Sequence, residues 1–472
     1  MIDVSMSIDP QNQAVVIYET DWLASTPVFY NLQTGSASTN IHEVMPPYRD
    51  LRFHPEGFYN FLDFGYSVYG QTPVENVKFL SPGSRLIRDA KGHLLVEQLA
   101  DPVERWWEYR ISEADVIDLI RERVQDWEAA LPSDREIVLP LSGGFDSRLL
   151  LWCLADKSRV RAYTYGLSED QDRSIEVVHA RALAERFGVR WERIPLGEFH
   201  RHFADWDAAY GISTHAHGMY HFEFYTKIRK RLKGQQAFLS GIFGDVWAGS
   251  ILAQSIEREH QLVQLGYTHG LRADPARLLL PVQHYLREKF WKEQHDRLKN
   301  PCLQMVTTIR LKIMLISYLM RVPRLFDFEP WTPFLDIDIA MAMVNLPPGR
   351  RANRQWQRDF FTKVGLDLEN RKLRSNRSNS LNHQAMKRYP VPPLNIALLA
   401  DLFDADYLNW INKTTIVTGF SEIQSKILGI PKIGGLLRRF GAKDRNLEAY
   451  CAYLCLKPIE NLLRRQYDAV KE

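Results

Sequence analysis

The chain has 472 residues, of which 45% are hydrophobic, 12% aromatic and 25% charged. This composition is that of a globular protein with a large core and excludes a disordered chain. Sixty basic residues stand against 57 acidic ones, so the net charge of +3 does not favour nucleic acid or an anionic membrane as a partner.

Targeting and redox signals are sparse. No unbroken apolar stretch approaches the ~18 residues that span a membrane. The N-terminal segment, which starts Met1-Ile-Asp-Val, lacks the basic and apolar regions of a signal peptide. The four cysteines are too scattered for a disulfide framework, and Cys451 and Cys455 do not have the spacing of a zinc or redox motif. These features favour a cytoplasmic enzyme without a membrane span.

The first 110 residues predict a β-rich domain. Short runs rich in Val, Ile, Tyr and Phe predict strands at 14–19, 28–32, 84–87 and 93–98. Ala90-Lys91-Gly92 has the turn chemistry of a hairpin tip between the last two strands.

A helix start marks the end of this region. Ser112-Glu-Ala-Asp115 has the form of a capping box, and apolar residues then recur at helical spacing up to Leu131. We therefore place a domain boundary between Asp101 and Ser112, which divides the chain into domains at 1–110 and 111–472.

Strands and helices alternate in the second domain. Strands are predicted at 137–141, 160–165, 190–194 and 237–239, and helices at 147–156, 174–187 and 222–232. Such alternation predicts right-handed βαβ units and a parallel sheet, so the fold class is α/β. After residue 255 the pattern is mostly helical, with loops predicted at Pro301, at 330–333 and at Pro347-Pro348.

The sharpest motif joins the strand at 137–141 to its helix: Pro140-Leu-Ser142-Gly143-Gly144-Phe-Asp146-Ser147-Arg148. Two glycines let the backbone approach a phosphate chain, and free N–H groups at the helix start favour an anion. Ser142 and Ser147 add hydroxyl donors, while a carboxylate beside phosphates makes sense only with a metal ion between them, most simply Mg²⁺. The alternative is a plain strand-to-helix turn. The P-loop of kinases and GTPases is excluded, because no lysine follows Gly144.

This motif resembles the pyrophosphate-binding loop of the PP-loop, or ATP-pyrophosphatase, superfamily, whose members split ATP into AMP and pyrophosphate. Further segments resemble asparagine synthetases in the same order, namely Tyr163-Thr-Tyr165-Gly166 with its following helix, 238–249, 329–336 and 345–348. The resemblance covers roughly residues 112–385. It implies a PP-loop synthetase domain with a helical C-terminal part, and ATP and Mg²⁺ as cofactors.

The resemblance also implies roles for single residues. Asp146 and Asp245 would be the metal-binding carboxylates, and Lys372, with Arg374 as a substitute, would meet the α-phosphate and the reacting carbonyl. The nucleotide would contact Pro140, Ser142, Gly143, Gly144, Asp146, Ser147, Tyr165, Ser240 and Gly241. Lys372 lies in a run of eleven basic and three acidic residues at 350–388. A solvated face would also explain that run, and an RNA-binding patch is a weaker alternative.

The first domain resembles the glutaminase domain that precedes the synthetase domain, on the segment from Gly65-Tyr66 to Ser84. That domain uses an N-terminal cysteine as its nucleophile, but residue 2 here is Ile and the first cysteine is Cys153. The resemblance therefore implies a degenerate, β-rich α+β domain that is kept as a scaffold and does not hydrolyse glutamine.

Other positions depart from the pattern of asparagine synthetases. Ile242 replaces a glutamate that supports the amine step, and it cannot relay a proton, which argues against ordinary asparagine synthesis. Trp331 replaces an arginine and suggests a reshaped acceptor pocket. His215, His217 and His221 could bind a metal, but we favour a polar wall of the acceptor pocket or a plain loop.

These features predict an ATP- and Mg²⁺-dependent, AMP-forming amide ligase that adenylates a carboxylate and passes it to an amine or ammonia. The acid would be a small molecule, a sugar acid or a peptide, as in bacterial polysaccharide or peptide natural-product modification. The alternatives are an asparagine synthetase proper, a tRNA-modifying PP-loop enzyme and a catalytically inactive nucleotide-binding scaffold. The sequence leaves open the acid, the amine and the oligomeric state, a homodimer included.

Overall fold

The protein is described here from a computed structural model of the full chain. It describes residues 14–106, 110–251, 253–266, 270–370, 373–430 and 433–471.

Two small antiparallel sheets account for most of the first 100 residues. The elements are β1 (Val15–Glu19), β2 (Phe29–Asn31), β3 (Ser36–Ser38), α1 (Pro55–Phe64), β4 (Val77–Phe79), β5 (Ser84–Arg88) and β6 (Leu94–Gln98). One sheet has the strand order β1-β5-β6 and the other β3-β2-β4. The four predicted strands are confirmed, and β5 and β6 form the predicted hairpin. The short strands β3 and β4 and the helix α1 were not predicted.

Helix α2 (Glu113–Ala130) begins at the predicted capping box. The Ser112 hydroxyl accepts a hydrogen bond from the Asp115 N–H, and the Asp115 carboxylate accepts one from the Ser112 N–H. This reciprocal pair satisfies two donors that the first turn of a helix otherwise leaves open.

A five-stranded parallel sheet forms the centre of the protein. Its region contains β7 (Ile137–Pro140), α3 (Phe145–Cys153), β8 (Val160–Thr164), α4 (Ile175–Phe187), β9 (Arg190–Arg193), α5 (Phe203–Tyr210), α6 (Met219–Arg229), β10 (Gln236–Leu239) and α7 (Gly244–Ala248). With β11 (Phe328–Trp331) from later in the chain, the strand order is β11-β10-β7-β8-β9, and all neighbours are parallel. The predicted α/β class and parallel sheet are confirmed. Because β7 and β10 are adjacent, the loops that follow them meet at one edge of the sheet.

The remaining elements are mostly helices, as predicted. They are α8 (Leu262–Gly266), α9 (Tyr285–Gln294), α10 (Pro301–Ile316), α11 (Tyr318–Arg324), β11 (Phe328–Trp331), α12 (Ile337–Val344), α13 (Pro348–Arg351), α14 (Gln355–Lys363), α15 (Leu381–Arg388), α16 (Ile396–Leu399), α17 (Ala405–Thr414), α18 (Gly419–Gly429), α19 (Ile433–Arg439) and α20 (Arg445–Lys471).

The prediction of loops at the proline positions was wrong in three places. Pro301 and Pro348 are each the first residue of a helix, where the missing N–H of proline costs nothing. Pro330 lies inside β11, which pairs only with β10 among the described strands. An edge strand tolerates proline because its outer edge has no neighbouring strand, so the missing backbone N–H of proline leaves no hydrogen bond unmade there.

One described segment, Pro301–Arg324, is long and apolar enough to cross a membrane, but 72% of its most apolar window is buried inside the protein. Burial of this kind is typical of a core helix.

The first 100 residues are held firmly against the rest of the chain. The carboxylate of Asp101 accepts hydrogen bonds of 2.7 and 2.9 Å from Arg310 on α10 and one of 2.7 Å from Arg297. Burial works to raise the pKa of Asp101, but the hydrogen bonds and charges of these arginines outweigh it and lower that pKa to about 2. Trp22 stacks on Trp247 of α7 with ring centroids 5.8 Å apart.

Candidate active site

The loop between β7 and α3 is closed by its own serine side chains. The Ser142 N–H donates to Ser147 Oγ at 3.3 Å, and the Gly144 N–H donates to Ser142 Oγ at the same distance. Within the described part of the chain no side chain caps α3, so the N–H groups of its first turn remain available to an anion.

Gly143 cannot be replaced without moving the loop. Its φ is +69°, and a Cβ at this position would lie 2.3 Å from Cβ of His179 on α4. The backbone here needs both the left-handed conformation and the absence of a side chain. The glycine predicted from the motif thus lets the loop lie directly on α4.

A buried arginine holds this loop from behind. Arg148, whose side chain has no exposed surface, donates to the Gly143 carbonyl at 2.6 Å and makes two bonds of 2.8 and 3.0 Å to the Glu369 carboxylate. Its guanidinium lies between the rings of Phe145 and Phe361, at 5.1 and 4.9 Å. Burial works to raise the pKa of Glu369, yet the hydrogen bonds and charge of Arg148 lower it to about 2. Sequence reasoning quoted Arg148 as part of the motif but gave it no role.

The loop after β10 contacts the first loop at Asp146. A Cβ at Gly241 would lie 3.1 Å from Asp146 Cβ, and one at Gly244 would lie 2.8 Å from Asp146 Cγ. The Ser240 N–H donates to the Trp331 carbonyl at 2.8 Å, which fixes the loop to β11. Phe243 adopts the left-handed conformation with φ of +69°, an uncommon state for a bulky residue that is often found at functional sites.

The structure brings the two predicted metal carboxylates together. Burial raises the pKa of Asp146 to about 7, and the neighbouring charge of Asp245 adds to this rise while Arg354 opposes it. Arg354 donates a short hydrogen bond to the Asp146 carboxylate and another to Gln357. Arg354 and the preceding Asn353 both have positive φ, at +57° and +52°. Sequence reasoning missed Arg354, because only the fold brings it to the loop.

A cleft of about 680 Å³ lies beside Asp245. Lys312 of α10 lines it, and so do Arg272, Thr308 and three glutamines, Gln254, Gln264 and Gln304. Burial lowers the pKa of the Lys312 ammonium, and the charge of Asp245 counteracts this. The sequence offered one signal for Lys312, since it is one of two basic residues in an otherwise uncharged helix.

A second cavity of about 620 Å³ adjoins the first and shares Gln254 and Gln304 with it. The two glutamines are tied together, since the Gln254 N–H donates to Gln304 Oε1 and Gln304 Nε2 donates to the Gln254 carbonyl, both at 2.7 Å. This reciprocal pair forms a fixed wall between the cavities.

Tyr165 directly follows β8, as predicted, and its ring packs at 5.0 Å from Phe224 and 5.8 Å from Tyr220. The histidine cluster lies in the same aromatic region. Burial lowers the pKa of His221 to about 3 and that of His215 well below its usual value, so both rings are neutral. No group of three His, Cys, Asp or Glu side chains in the described part of the chain could hold a metal. The cluster does not line either cavity.

The remaining positions that the sequence analysis singled out are not found in the arrangement described above. Lys372 lies outside the described residues. Arg374, its substitute, is exposed. Trp331 stacks on Trp127 of α2, with centroids 4.9 Å and planes 7° apart, and does not line the two cavities. Ile242 is buried against the hydrophobic core next to the central sheet.

The cysteines offer no activated nucleophile. Burial raises the pKa of Cys153 and of Cys451 to about 12, and it raises the pKa values of Cys302 and Cys455 as well. All four are therefore thiols near neutral pH, whereas a nucleophilic cysteine needs a lowered pKa.

These residues fit a nucleoside triphosphate with a divalent cation. Gly143, Gly241 and Gly244 let the two loops pack tightly against α4 and Asp146. The first turn of α3, which no described side chain caps, leaves N–H groups for a phosphate chain. The charge of Asp245 disfavours the charged form of Asp146, and a divalent cation between the two carboxylates would relieve this. The site is thus that of a nucleotide-binding α/β enzyme.

The comparison with known families agrees with this class. The model of the asparagine synthase family matches residues 118–368, more than half of the chain. The chain belongs to this family, and this membership supports an ATP-dependent amide ligase of the asparagine synthetase type. A comparison with curated proteins finds no match.

Proposed function

We propose that this protein adenylates a carboxylate with ATP, releases pyrophosphate, and passes the acyl group to an amine or ammonia with release of AMP. One observation carries the proposal. Asp146 and Asp245 lie near each other in the first turns of the helices that follow adjacent strands, with the start of α3, which no described side chain caps, on one side and a cleft with Lys312 on the other.

Each loop has a role in this proposal. Ser142, Gly143, Gly144 and Ser147 bind the departing pyrophosphate at the start of α3, and Pro140, Tyr165, Ser240 and Gly241 border the rest of the nucleotide. Mg²⁺ held by Asp146 and Asp245 would neutralise charge on the phosphates. Lys372 supplies a cation for the α-phosphate and the reacting carbonyl. Catalysis then depends on positioning and charge neutralisation, since the chain forms no covalent bond to the substrate.

The amine comes from outside the first domain. The four thiols have raised pKa values, and Ile242 cannot accept or relay a proton. Both observations support free ammonia, a partner-supplied amine or an amine within the substrate as the nucleophile. In this proposal residues 1–110 are a degenerate glutaminase-like domain that serves as scaffold.

The cleft favours a sugar acid over aspartate as the carboxylate. Its volume of about 680 Å³ exceeds what a four-carbon amino acid fills. Lys312 can pair with a carboxylate, and the amides of Gln254 and Gln264 with the hydroxyl of Thr308 can hydrogen-bond to ring hydroxyls. This chemistry fits polysaccharide modification better than peptide modification.

The function is tested by magnesium-dependent exchange of labelled pyrophosphate into ATP. The purified chain is assayed with uronic and other sugar acids, with aspartate and with a small-molecule cell extract. We expect exchange with a sugar acid or with the extract. ATP binding without exchange from any source would instead favour the nucleotide-binding scaffold, and the absence of ATP binding would contradict the proposal.

Replacement of Lys312 with methionine tests the cleft. We expect the KM for the acid to rise between about ten- and a hundredfold, because a hydrogen bond to a charged group contributes roughly 1.5–3 kcal/mol. The KM for ATP should stay within about twofold. The control is Lys289→Met on the exposed face of α9. An unchanged KM for the acid would place the acid elsewhere.

A further inference from the structure

Two consecutive helices near the C-terminus expose rows of large apolar side chains. On α18, Phe420, Ile423 and Ile427 recur three and four residues apart, and on α19 and just beyond it Ile433, Leu436 and Phe440 do the same. Phe420 and Phe440 are 79% and 82% exposed. Periodicity of this kind places each row on one face of its helix. We call α18 and α19, residues 419–439 with Phe440, the apolar hairpin.

The apolar hairpin is a packed pair of helices, so the exposed rows are not its packing faces. A Cβ at Gly434 of α19 would lie 1.9 Å from the Leu428 carbonyl of α18, which shows how closely the helices approach. Arg438 donates to the same carbonyl at 2.8 Å and caps the end of α18. Leu428 is buried, whereas the two rows face away from the protein. Exposed large apolar side chains arranged in rows mark a candidate interaction site.

The charge around this surface is strongly positive although the whole chain is near neutral. Residues 416–445 contain six Lys or Arg and only Glu422 and Asp444 as acids. Both acids are already paired, Glu422 with Lys387 and Lys426 and Asp444 with His383. Arg439 and Arg445, by contrast, make no ion pair to any residue that the structure describes. The free charge at this surface is therefore basic.

The charge decides between a second copy of the chain and another partner. A two-fold interface through the apolar hairpin would place the same basic patch on both sides, so like charges would be brought together across it. A partner must instead offer apolar volume together with negative charge. An anionic bilayer offers both, since apolar side chains enter the acyl boundary while Lys and Arg meet the head groups.

We propose that the apolar hairpin is a membrane-surface anchor that docks the protein on anionic lipid. Its rows of Phe, Ile and Leu insert below the head groups, and the basic residues beside them bind lipid phosphates.

The anchor lies close to the nucleotide side of the central sheet. Lys426 of α18 makes an ion pair of 3.3 Å with Glu169, in the loop that follows β8 and Tyr165. Docking would therefore bring the bilayer near the loops at the carboxyl ends of the strands. This placement does not depend on which acid the enzyme uses.

The test is sedimentation of the full chain with vesicles. One set contains phosphatidylglycerol and phosphatidylcholine in equal parts, and the other contains phosphatidylcholine alone. We expect the wild type to bind the anionic vesicles and to be released by high salt, because the head-group attraction is screened. The double variant Phe420→Ser with Phe440→Ser should bind at least about tenfold more weakly, because each exposed Phe loses its burial in lipid.

Matched variants separate the two contributions. Arg439→Glu with Arg445→Glu should weaken binding by roughly tenfold or more, since each basic residue contributes about 1 kcal/mol at an anionic surface. Leu279→Ser with Tyr285→Ser removes two other exposed apolar groups, 57% and 70% exposed, and this variant should bind as the wild type does. All variants should keep the wild-type melting temperature, because the changed side chains are exposed.

Two results would overturn the proposal. One is binding to anionic vesicles that survives both hairpin variants. The other is the absence of vesicle binding, whether or not analytical ultracentrifugation finds a dimer that the Phe420 and Phe440 changes dissociate; such a dimer would assign the surface to a second copy. Neither result bears on pyrophosphate exchange, so the proposed function stands or fails separately.

Discussion

Replacing Asp146 with asparagine is expected to lower magnesium-dependent pyrophosphate exchange by about two to three orders of magnitude. The reason is that a bound metal ion supplies several kcal/mol of charge stabilisation, and asparagine removes the charge that holds it. Titration calorimetry should show weaker binding of ATP in the presence of magnesium. With a chelator present, the variant should bind ATP at least as tightly as the wild type, because asparagine removes a negative charge from beside the phosphates.

The control for this change is Asp118→Asn, which removes a carboxylate from the exposed face of α2. It should leave exchange and binding unchanged. If Asp146→Asn bound ATP with magnesium as tightly as the wild type, Asp146 would be only a partner of Arg354. The site would then need another set of metal ligands.

Replacing Arg148 with methionine is expected to destabilise the protein by about 3 kcal/mol and to abolish exchange. Removal of one partner from a buried pair leaves the other charge uncompensated, which typically costs about 3–5 kcal/mol. Here Glu369 would lose its partner, although its own partial exposure keeps the effect at the lower end. The Gly143 carbonyl would also lose its donor, so the loop would lose its fixed geometry.

Urea unfolding with a double-mutant cycle measures this pair. The double variant Arg148→Met with Glu369→Gln should be more stable than Arg148→Met alone, because it removes the uncompensated charge. Exchange should stay low in both, since neither restores the bond to Gly143. Recovery of exchange in the double variant would contradict a role for Arg148 in holding the loop.

The same pair gives a pH dependence of defined sign. The pKa of Glu369 is about 2 in the fold, against about 4.3 in an unfolded chain. The contribution to stability is therefore complete above about pH 5 and is lost as the pH falls towards 2. The difference in unfolding free energy between the wild type and Glu369→Gln should shrink over this range.

Sequence patterns predicted those helices, strands and loops that are determined by residues close together in the chain. The capping box at Ser112 and Asp115, the strand at 137–141 and the glycine loop after it all follow from side chains close in sequence. The helix α1 escaped prediction although it has Pro55 at its first position and Gly65 at its end. Its start is capped by a histidine, His54, which is not among the usual capping residues.

The site residues that the sequence did not predict are brought to the site by long-range contacts. Arg148 meets Glu369, and Asp146 meets Arg354, across more than 200 residues of chain. Lys312 reaches the cleft only because α10 packs beside the loop that carries Asp245. No spacing of residues in the sequence predicts these contacts. The loop motifs could be predicted because each is a single turn of backbone whose residues are close in sequence.

The stacking of Trp22 on Trp247 limits how far the chain can be shortened from its N-terminus. Trp247 lies two residues after Asp245, and its indole N–H donates to the Phe334 carbonyl at 3.0 Å. A chain trimmed to the region shared with the family would leave this ring uncovered on one side. It would also leave Arg310 without its ion-pair partner Asp101. The N-terminal region can therefore lose any chemistry of its own without becoming dispensable, because α7, which carries Asp245, packs against it.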